Sequence, residues 1–530
     1  MTEPTESASG RHAARVSAGI LLSRITGLLR ERAIAHFFGA GTVADAFKAA
    51  LRMPNVLQNL LGEGTLSASF IPIYASMEER NRTEAARAFA GAIFGLLFVV
   101  AGAIALLGIA LAPLLVGLFF AGFDPETQAL TTRLVRILFP MTAVLVLSAW
   151  CLGVLNTHRH FFLPYVAPVI WNLSMIGALG LGSWFLGADG EALVQVLAWG
   201  ALAGGVLQLL IQLPSTLRLV RGLKPRISLA VEGVRDAIHN FIPVVAARGA
   251  VNLGGLLDYT LAGFLAAGAV ATLSWAQTLY ILPISLFGMA VAASELPELS
   301  RARAGAARIE PGSEGARLLA GKVRSGMTRV AYFLIPATLG YIALGDVVVA
   351  GLYQTGEFGQ AEVLVTWAIL GGYALGMGAS AVSRLLSSTF YALEDTRTPA
   401  RLAWLRVILA LAVGAALMFP FDRIEAGNGL RLGAMGLALG SAFAAWVELA
   451  LLRRRLGARI GAHALRSGTF LRMLLAGVLA IGAGWGILLL LPPLHPVLVA
   501  LLVLGPLGLI YFGATLLLGV GGPLKEVVRR

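Results

Sequence analysis

Apolar runs of about 18 residues or more recur along the whole chain, and a run of that length reads as a membrane helix. This feature overrides length as a guide, since 530 residues would otherwise suggest a few soluble domains. Charged residues make up 13% of the chain, about half of the roughly 25% of a soluble domain. Mean hydropathy is +0.81. These values exclude a disordered protein, a soluble globular enzyme and a nucleic-acid-binding domain. The 63 glycines suit closely packed membrane helices.

Fourteen spans are expected, at residues 16–38, 42–74, 88–120, 129–155, 161–186, 192–217, 237–266, 270–299, 319–350, 362–392, 400–421, 432–452, 470–491 and 496–520. The 42–74 stretch is longer than a bilayer requires and holds Met53-Pro54-Asn55 and Gly62-Glu63-Gly64, so a kinked or broken helix is expected there. The loops alternate in character. One set is basic, with Arg80, Arg82 and Arg87, then Arg218 to Arg235, Arg301 to Arg324 and Arg453 to Arg466. The other is acidic or neutral, with Asp124 and Glu126, Asp189 and Glu191, and Glu357 and Glu362. Basic residues collect on the cytoplasmic side, so both termini are expected in the cytoplasm. An odd number of spans would scramble this alternation. The net charge of +13 has the same origin and does not call for nucleic acid. The lone Cys151 excludes an internal disulfide, and residues 1–15 lack the apolar region of a cleaved signal peptide.

The sequence also repeats internally. Phe37 to Ala44 pairs with Phe264 to Ala271, Ser67 to Pro72 with Ala292 to Pro297, and Gly117 to Gly122 with Gly351 to Gly356, at offsets of 227, 225 and 234. Three matches in one order point to a duplication of about six spans, an even number, so the halves share orientation. Parallel repeats of this kind occur in transporters, with the substrate path between the halves. The expected division is a tail at 1–15, an N-lobe at 16–220, a C-lobe at 221–460, and two further spans with a short tail at 461–530.

No constellation for catalysis is present: no Cys/His metal spacing, no phosphate loop of the Walker type and no nucleophile elbow. Neither a cofactor nor an enzymatic activity is expected. The informative residues are charges inside the spans, because each is costly unless it faces a cavity or a partner. They are Arg24, Arg30, Glu31 and Arg32 in the first span; Asp45, Lys48, Arg52 and Glu63 in the second; then Arg133, Arg136, Arg248, Asp258, Glu295 and Arg384. Cations predominate in the first two spans. The arginine fork keeps its charge when buried and suits phosphate, so a cationic cavity implies an anionic substrate bearing phosphate. Arg32, Lys48, Arg133 and Arg136 lie near span ends, where long side chains ordinarily snorkel. Arg30 and Asp45 sit at similar depth and are expected to form an ion pair, with an outer gate as the other reading. Arg24 lies too deep to snorkel easily. It is about 120° around the helix from Arg30, so the two share a cavity only if it is wide or if Gly27 bends the helix. Glu295 has no functional reading beyond a satisfied helix-end carboxylate.

Ser23-Arg24-Ile25-Thr26-Gly27-Leu28-Leu29-Arg30-Glu31, then Phe38-Gly39-Ala40-Gly41, Ala44-Asp45-Ala46-Phe47, Pro54-Asn55, Gly62-Glu63-Gly64 and Phe70-Ile71-Pro72 resemble the MurJ (MviN) lipid II flippases. The similarity continues through Leu155-Asn156-Thr157, Pro164 to Asn172 and Phe390 to Pro399, and covers nearly the whole chain. That family belongs to the multidrug/oligosaccharidyl-lipid/polysaccharide exporter superfamily. The resemblance implies an all-α polytopic fold of two six-helix lobes around a central cavity, with two added C-terminal helices forming a groove for a lipid tail. It implies movement of undecaprenyl-diphosphate-linked disaccharide-pentapeptide, lipid II, to the outer leaflet of the bacterial inner membrane by alternating access. Lipid II and membrane lipid are the implied partners, with cell-wall synthesis proteins as candidates and no nucleic acid. Arg24 and Arg30 match required cavity arginines, Asp45 a required aspartate, Glu63 the acid of the Gly-Glu-Gly segment, and Arg384 a cation of the tenth span.

Two departures stand out. Where many members carry an arginine in span 8, this chain reads Ala276-Gln277-Thr278-Leu279, and a cation after Pro54-Asn55 is replaced by Gln58 or Asn59. Arg248 and Arg52 are the candidate substitutes. Some members hold sodium with an aspartate on span 7, for which Asp258 is the candidate, but residues 400–421 offer no Asn or Asp partner. The coupling ion, sodium or proton, stays open. The competing readings are an exporter of another polyprenyl-linked glycan or of a small molecule, and a membrane scaffold. A cation exporter would line its cavity with carboxylates, and a scaffold has no need of buried charge.

Overall fold

The computed structural model describes residues 6–288 and 312–523. It is helical throughout apart from one small hairpin, and packing divides it into two compact units, Met1–Phe264 and Leu265–Arg530.

In the first unit the chain runs α1 (Glu6–Phe38), α2 (Thr42–Leu61), α3 (Glu63–Ser69), α4 (Ile71–Glu79), α5 (Thr83–Ala110), α6 (Ala112–Phe119), α7 (Pro125–Thr157), α8 (Phe162–Leu186), α9 (Gly190–Leu219) and α10 (Val234–Ala262). Local chemistry sets several boundaries. Asp124 caps α7 by accepting from the N–H groups of Glu126 and Thr127, with Pro125 in the first turn. Gly187, at φ +61°, closes α8 in the left-handed region that suits glycine. α1 starts at Glu6, inside the stretch expected as a tail, because hydropathy marks only the apolar part of a helix and its polar first turns escape it.

The expected break in the 42–74 stretch is present, but at the glycine and not at the proline. α2 runs through Pro54 and stops at Gly62, whose N–H bonds Gln58 O at 2.7 Å. A Cβ on Gly62 would lie 2.5 Å from that same oxygen, so this close approach requires glycine. Behind the break, Phe70, Tyr74 and Phe89 stack, and Phe94 meets Trp150 edge-on, in a buried core shared by α3, α4, α5 and α7.

In the second unit the chain runs α11 (Ala269–Pro283) with a π-helical end at Ile284–Gly288, α12 (Glu314–Ala343), α13 (Gly345–Tyr353), α14 (Gln360–Ala392), α15 (Arg397–Asp422), the hairpin β1 (Glu425–Gly427) and β2 (Leu430–Arg431), α16 (Gly433–Ile460), α17 (Ser467–Leu490) and α18 (Pro496–Leu517). Small residues let these helices approach closely. A Cβ on Gly440 would fall 2.4 Å from Gly414 N, and one on Gly376 2.6 Å from Ala442 Cα, locking α15 and α14 onto α16. The last two helices pack on α12 and α13. There Tyr511 donates to the Tyr332 carbonyl at 2.7 Å, and the Tyr332 and Thr515 hydroxyls bond at 2.9 Å.

Among the described residues, ten helices are long and apolar enough to cross a membrane: α5, α7, α8, α9, α11 with its π-helical end, and α14 to α18. The α12–α13 pair, bent by 83°, makes an eleventh candidate. The three other expected spans fall on α1, α2 and α10, which carry the intramembrane charges and so fail a test based on apolar composition. The repeat is visible as repeated element order. α2 opens at Thr42 and α11 at Ala269, and the broken pair α5–α6 has its counterpart in α12–α13. The match at Ala292 to Pro297 lies outside the described residues, as does Glu295.

α10, assigned from sequence to the C-lobe beginning at 221, packs with the first unit, against α2 and α3. Specific contacts hold it there: Asn59 Nδ2 donates to Asn252 Oδ1 at 3.2 Å, and the Arg52 guanidinium lies 5.0 Å from the centre of the Tyr259 ring.

Candidate functional site: a cationic cavity in the first unit

The first unit holds a cavity of about 580 Å3, lined from α1, α2, α7, α8 and α9. Arg24, Arg30 and Arg52 all line it. α1 is one uninterrupted helix, so Arg24 and Arg30 share this space because it is wide, with no helix break at Gly27.

Asn172 of α8 fixes this face of α1. Its Nδ2 donates to Ser23 O at 3.2 Å and to Thr26 Oγ1 at 3.1 Å, while its Oδ1 accepts from Arg30 Nη1 at 2.9 Å. The Arg30 guanidinium also stacks 4.8 Å from the centre of the Trp171 ring. The carboxylate that Arg30 meets is that of Glu31, at 2.7 Å, and not the expected Asp45. Glu31 bonds Lys48 of α2 as well, so Lys48 is buried in a salt bridge instead of snorkelling. Sequence depth placed Arg30 near Asp45, but helix rotation turns Lys48 toward Glu31, one residue beyond Arg30. Asp45 is itself buried on α2. Two cations share the Glu31 carboxylate here.

Arg248 is exposed on α10, and its guanidinium occupies the space left by the missing side chain of Gly64. It is not among the residues lining the cavity. Glu63 opens α3, and its side chain lies outside the described residues. Asp258 stands one residue before the Tyr259 ring that meets Arg52. Among the described residues, no group of three or more His, Cys, Asp or Glu side chains gathers at Asp258 or elsewhere. Arg384 belongs to the second unit and is exposed on α14. Arg133, expected to snorkel, meets Glu191 at 2.6 Å in a half-exposed pair.

Sequence reasoning missed two sets of polar residues. Ser148, Gln208 and Gln212 line the cavity from α7 and α9. Neutral amides and hydroxyls raise no alarm in an apolar stretch. In the second unit, Arg406 of α15 reaches Glu448 of α16 at 2.9 Å and Ser380 of α14 at 2.9 Å. Here the signal was present, as opposite charges inside two successive spans.

An all-α polytopic fold with an internal repeat and an arginine-lined cavity defines a membrane transporter for an anionic substrate. Residues 34–504 match the family model described as lipid II flippase MurJ, so the chain belongs to that family. It is 32% identical over 446 residues to the probable lipid II flippase MurJ of Rhizobium meliloti, covering 83% of this chain and 79% of the relative. Among solved structures it superposes on a lipid II flippase MurJ in an inward-closed conformation with a TM-score of 0.76 at 21% identity, covering 94% of this chain and 97% of the other. An inward-facing multidrug transporter of the MATE family and the MOP superfamily aligns with a TM-score of 0.65 at 17% identity, over 86% of this chain and all of the other. These structural likenesses establish the fold.

Proposed function

We propose that the chain moves lipid II, the undecaprenyl-diphosphate-linked peptidoglycan precursor, from the inner to the outer leaflet of the bacterial cytoplasmic membrane by alternating access. The observation that carries this reading is the convergence of Arg24, Arg30 and Arg52 on one cavity, with Arg30 sharing its carboxylate, Glu31, with Lys48. The arginines capture the diphosphate, whose charge offsets theirs and makes a closed, dehydrated cavity tolerable. Release follows when the cavity rehydrates on the other side. The polyprenyl tail stays in lipid. α17 and α18 suit it, with Leu489, Leu490, Leu509 and Leu517 well exposed. In this reading both termini lie in the cytoplasm, the side on which basic loops collect. The process draws on no catalytic side chain and no cofactor. Asp258 is the residue we assign to any coupling by sodium or protons.

Complementation tests the reading. A walled bacterium depleted of its own flippase is supplied with this chain, and lipid II in the outer leaflet is measured. Wild type restores it; Arg24→Ala, inserted at the same level, reduces it at least about tenfold, in keeping with loss of a charge-assisted contact. Failure of well-inserted wild type overturns the lipid II assignment in favour of another lipid-linked substrate.

A further inference from the structure

The cavity has two chemically distinct walls. α1 and α2 supply Arg24, Arg30 and Arg52. α7 and α9 supply no charge but three polar side chains arranged as a unit. Gln208 Nε2 and Gln212 Nε2 both donate to Ser148 Oγ, at 3.2 and 2.7 Å. Gln212 Nε2 also donates to the Gln208 carbonyl oxygen at 3.0 Å. A carbonyl only accepts, so this bond fixes the Gln212 amide with its nitrogen inward and excludes the flipped assignment.

The consequence is an orphaned acceptor. Gln212 is 1% exposed, and its Oε1 accepts no hydrogen bond. A buried polar atom without a partner is destabilising and calls for an explanation. Gln208, half-buried above it, is held by its nitrogen on Ser148 and carries its own Oε1 as a second acceptor. The wall therefore asks for hydrogen-bond donors. These two acceptors offer nothing to a phosphate, which is acceptor-only when ionised, and no charge to a metal cation. Hydroxyl and amide N–H groups are the chemistry that satisfies it.

Resting on the flippase reading above, we infer that Gln208 and Gln212, positioned by Ser148, form a neutral subsite for the sugar hydroxyls and amide N–H groups of the lipid-linked headgroup. The arginine wall takes the diphosphate. The cavity then sorts ligands by what the diphosphate carries. Undecaprenyl diphosphate, which has the phosphates but no glycan or peptide, engages one wall only.

Binding of lipid II and of undecaprenyl diphosphate to the full chain in lipid nanodiscs tests this division. Wild type is expected to prefer lipid II. Gln208→Leu and Gln212→Leu each weaken lipid II binding about fivefold to tenfold, the scale of one or two hydrogen bonds, and leave undecaprenyl diphosphate unchanged. Retained binding of undecaprenyl diphosphate shows that the variant is folded. Arg24→Ala weakens both ligands. If the glutamine variants bind both lipids as wild type does, or lose both equally, the subsite is refuted, and the orphan oxygen serves only an internal water or the packing of α7 on α9. If wild type binds neither lipid, the flippase reading itself falls and the subsite with it.

Discussion

Each unit sets an arginine against a buried glutamate, and the two arrangements differ in stoichiometry. In the first unit Glu31 is shared by Arg30 and Lys48, and Arg30 lines the cavity. In the second unit Arg406 meets Glu448 one to one, with Ser380 bonding the guanidinium and the Tyr280 hydroxyl bonding Ser380. That pair ties α14, α15 and α16 together, and none of its residues lines the cavity. An arginine that lines a cavity is placed to meet a further anion, and a diphosphate supplies one when it binds.

The sharpest way to break this contrast is to remove the shared carboxylate. Glu31→Gln breaks the ion pair to Lys48, whose side chain is 4% exposed, and is expected to cost about 3–5 kcal/mol, the range for breaking a buried pair. A lower unfolding midpoint in detergent reads it. By contrast, Arg30→Ala leaves Glu31 balanced by Lys48, so it should lower transport far more than stability.

In the second unit Arg406→Met leaves Glu448 unpaired and is expected to cost about 2 kcal/mol, less than the Glu31 change because the arginine is partly exposed. Pairing it with Glu448→Leu restores most of that stability in a double-mutant cycle, and transport survives in the double variant. A double variant that is stable but inactive would make the second pair functional and erase the distinction between the units.

The smallest effect concerns the end of α7. His158 bonds the Tyr74 hydroxyl at 3.1 Å, and burial holds its imidazole below the usual histidine value, with Glu78 opposing. The unfolded chain then binds the proton more readily than the folded one. This contribution to stability is complete above the ordinary histidine pKa and is lost as pH falls through it toward the lower folded value. Unfolding midpoints at pH 7.5 and 5.5 should differ by a few degrees at most, and less in His158→Gln.

The fold was largely legible because hydrocarbon imposes long apolar helices, and the exceptions are instructive. α1 and α2 fail the apolar test because they hold the site's arginines, and α10 because it carries charges such as Arg248 and Asp258. Arg24 and Arg30 were legible for the same reason, as costly charges in an apolar setting. The partner of Arg30 was not, since depth along two helices leaves their rotation undetermined, and rotation decided between Asp45 and Glu31. Ser148, Gln208 and Gln212 were invisible because an uncharged polar residue in a span is cheap enough to be ordinary. The packing of α10 on α2 depends on contacts such as Arg52 with Tyr259, between residues far apart in sequence, which no local pattern reveals.

Asn172 makes three hydrogen bonds to α1, with both hydrogens of its amide and its oxygen engaged at Ser23, Thr26 and Arg30. Among the genetically encoded side chains only glutamine offers the same two donors and acceptor, one methylene farther out. Aspartate surrenders the donors, and serine lacks the reach. The codon is therefore hemmed in on every side: a single side chain of α8 decides how freely the sequence of α1 can drift while Arg30 keeps its aim.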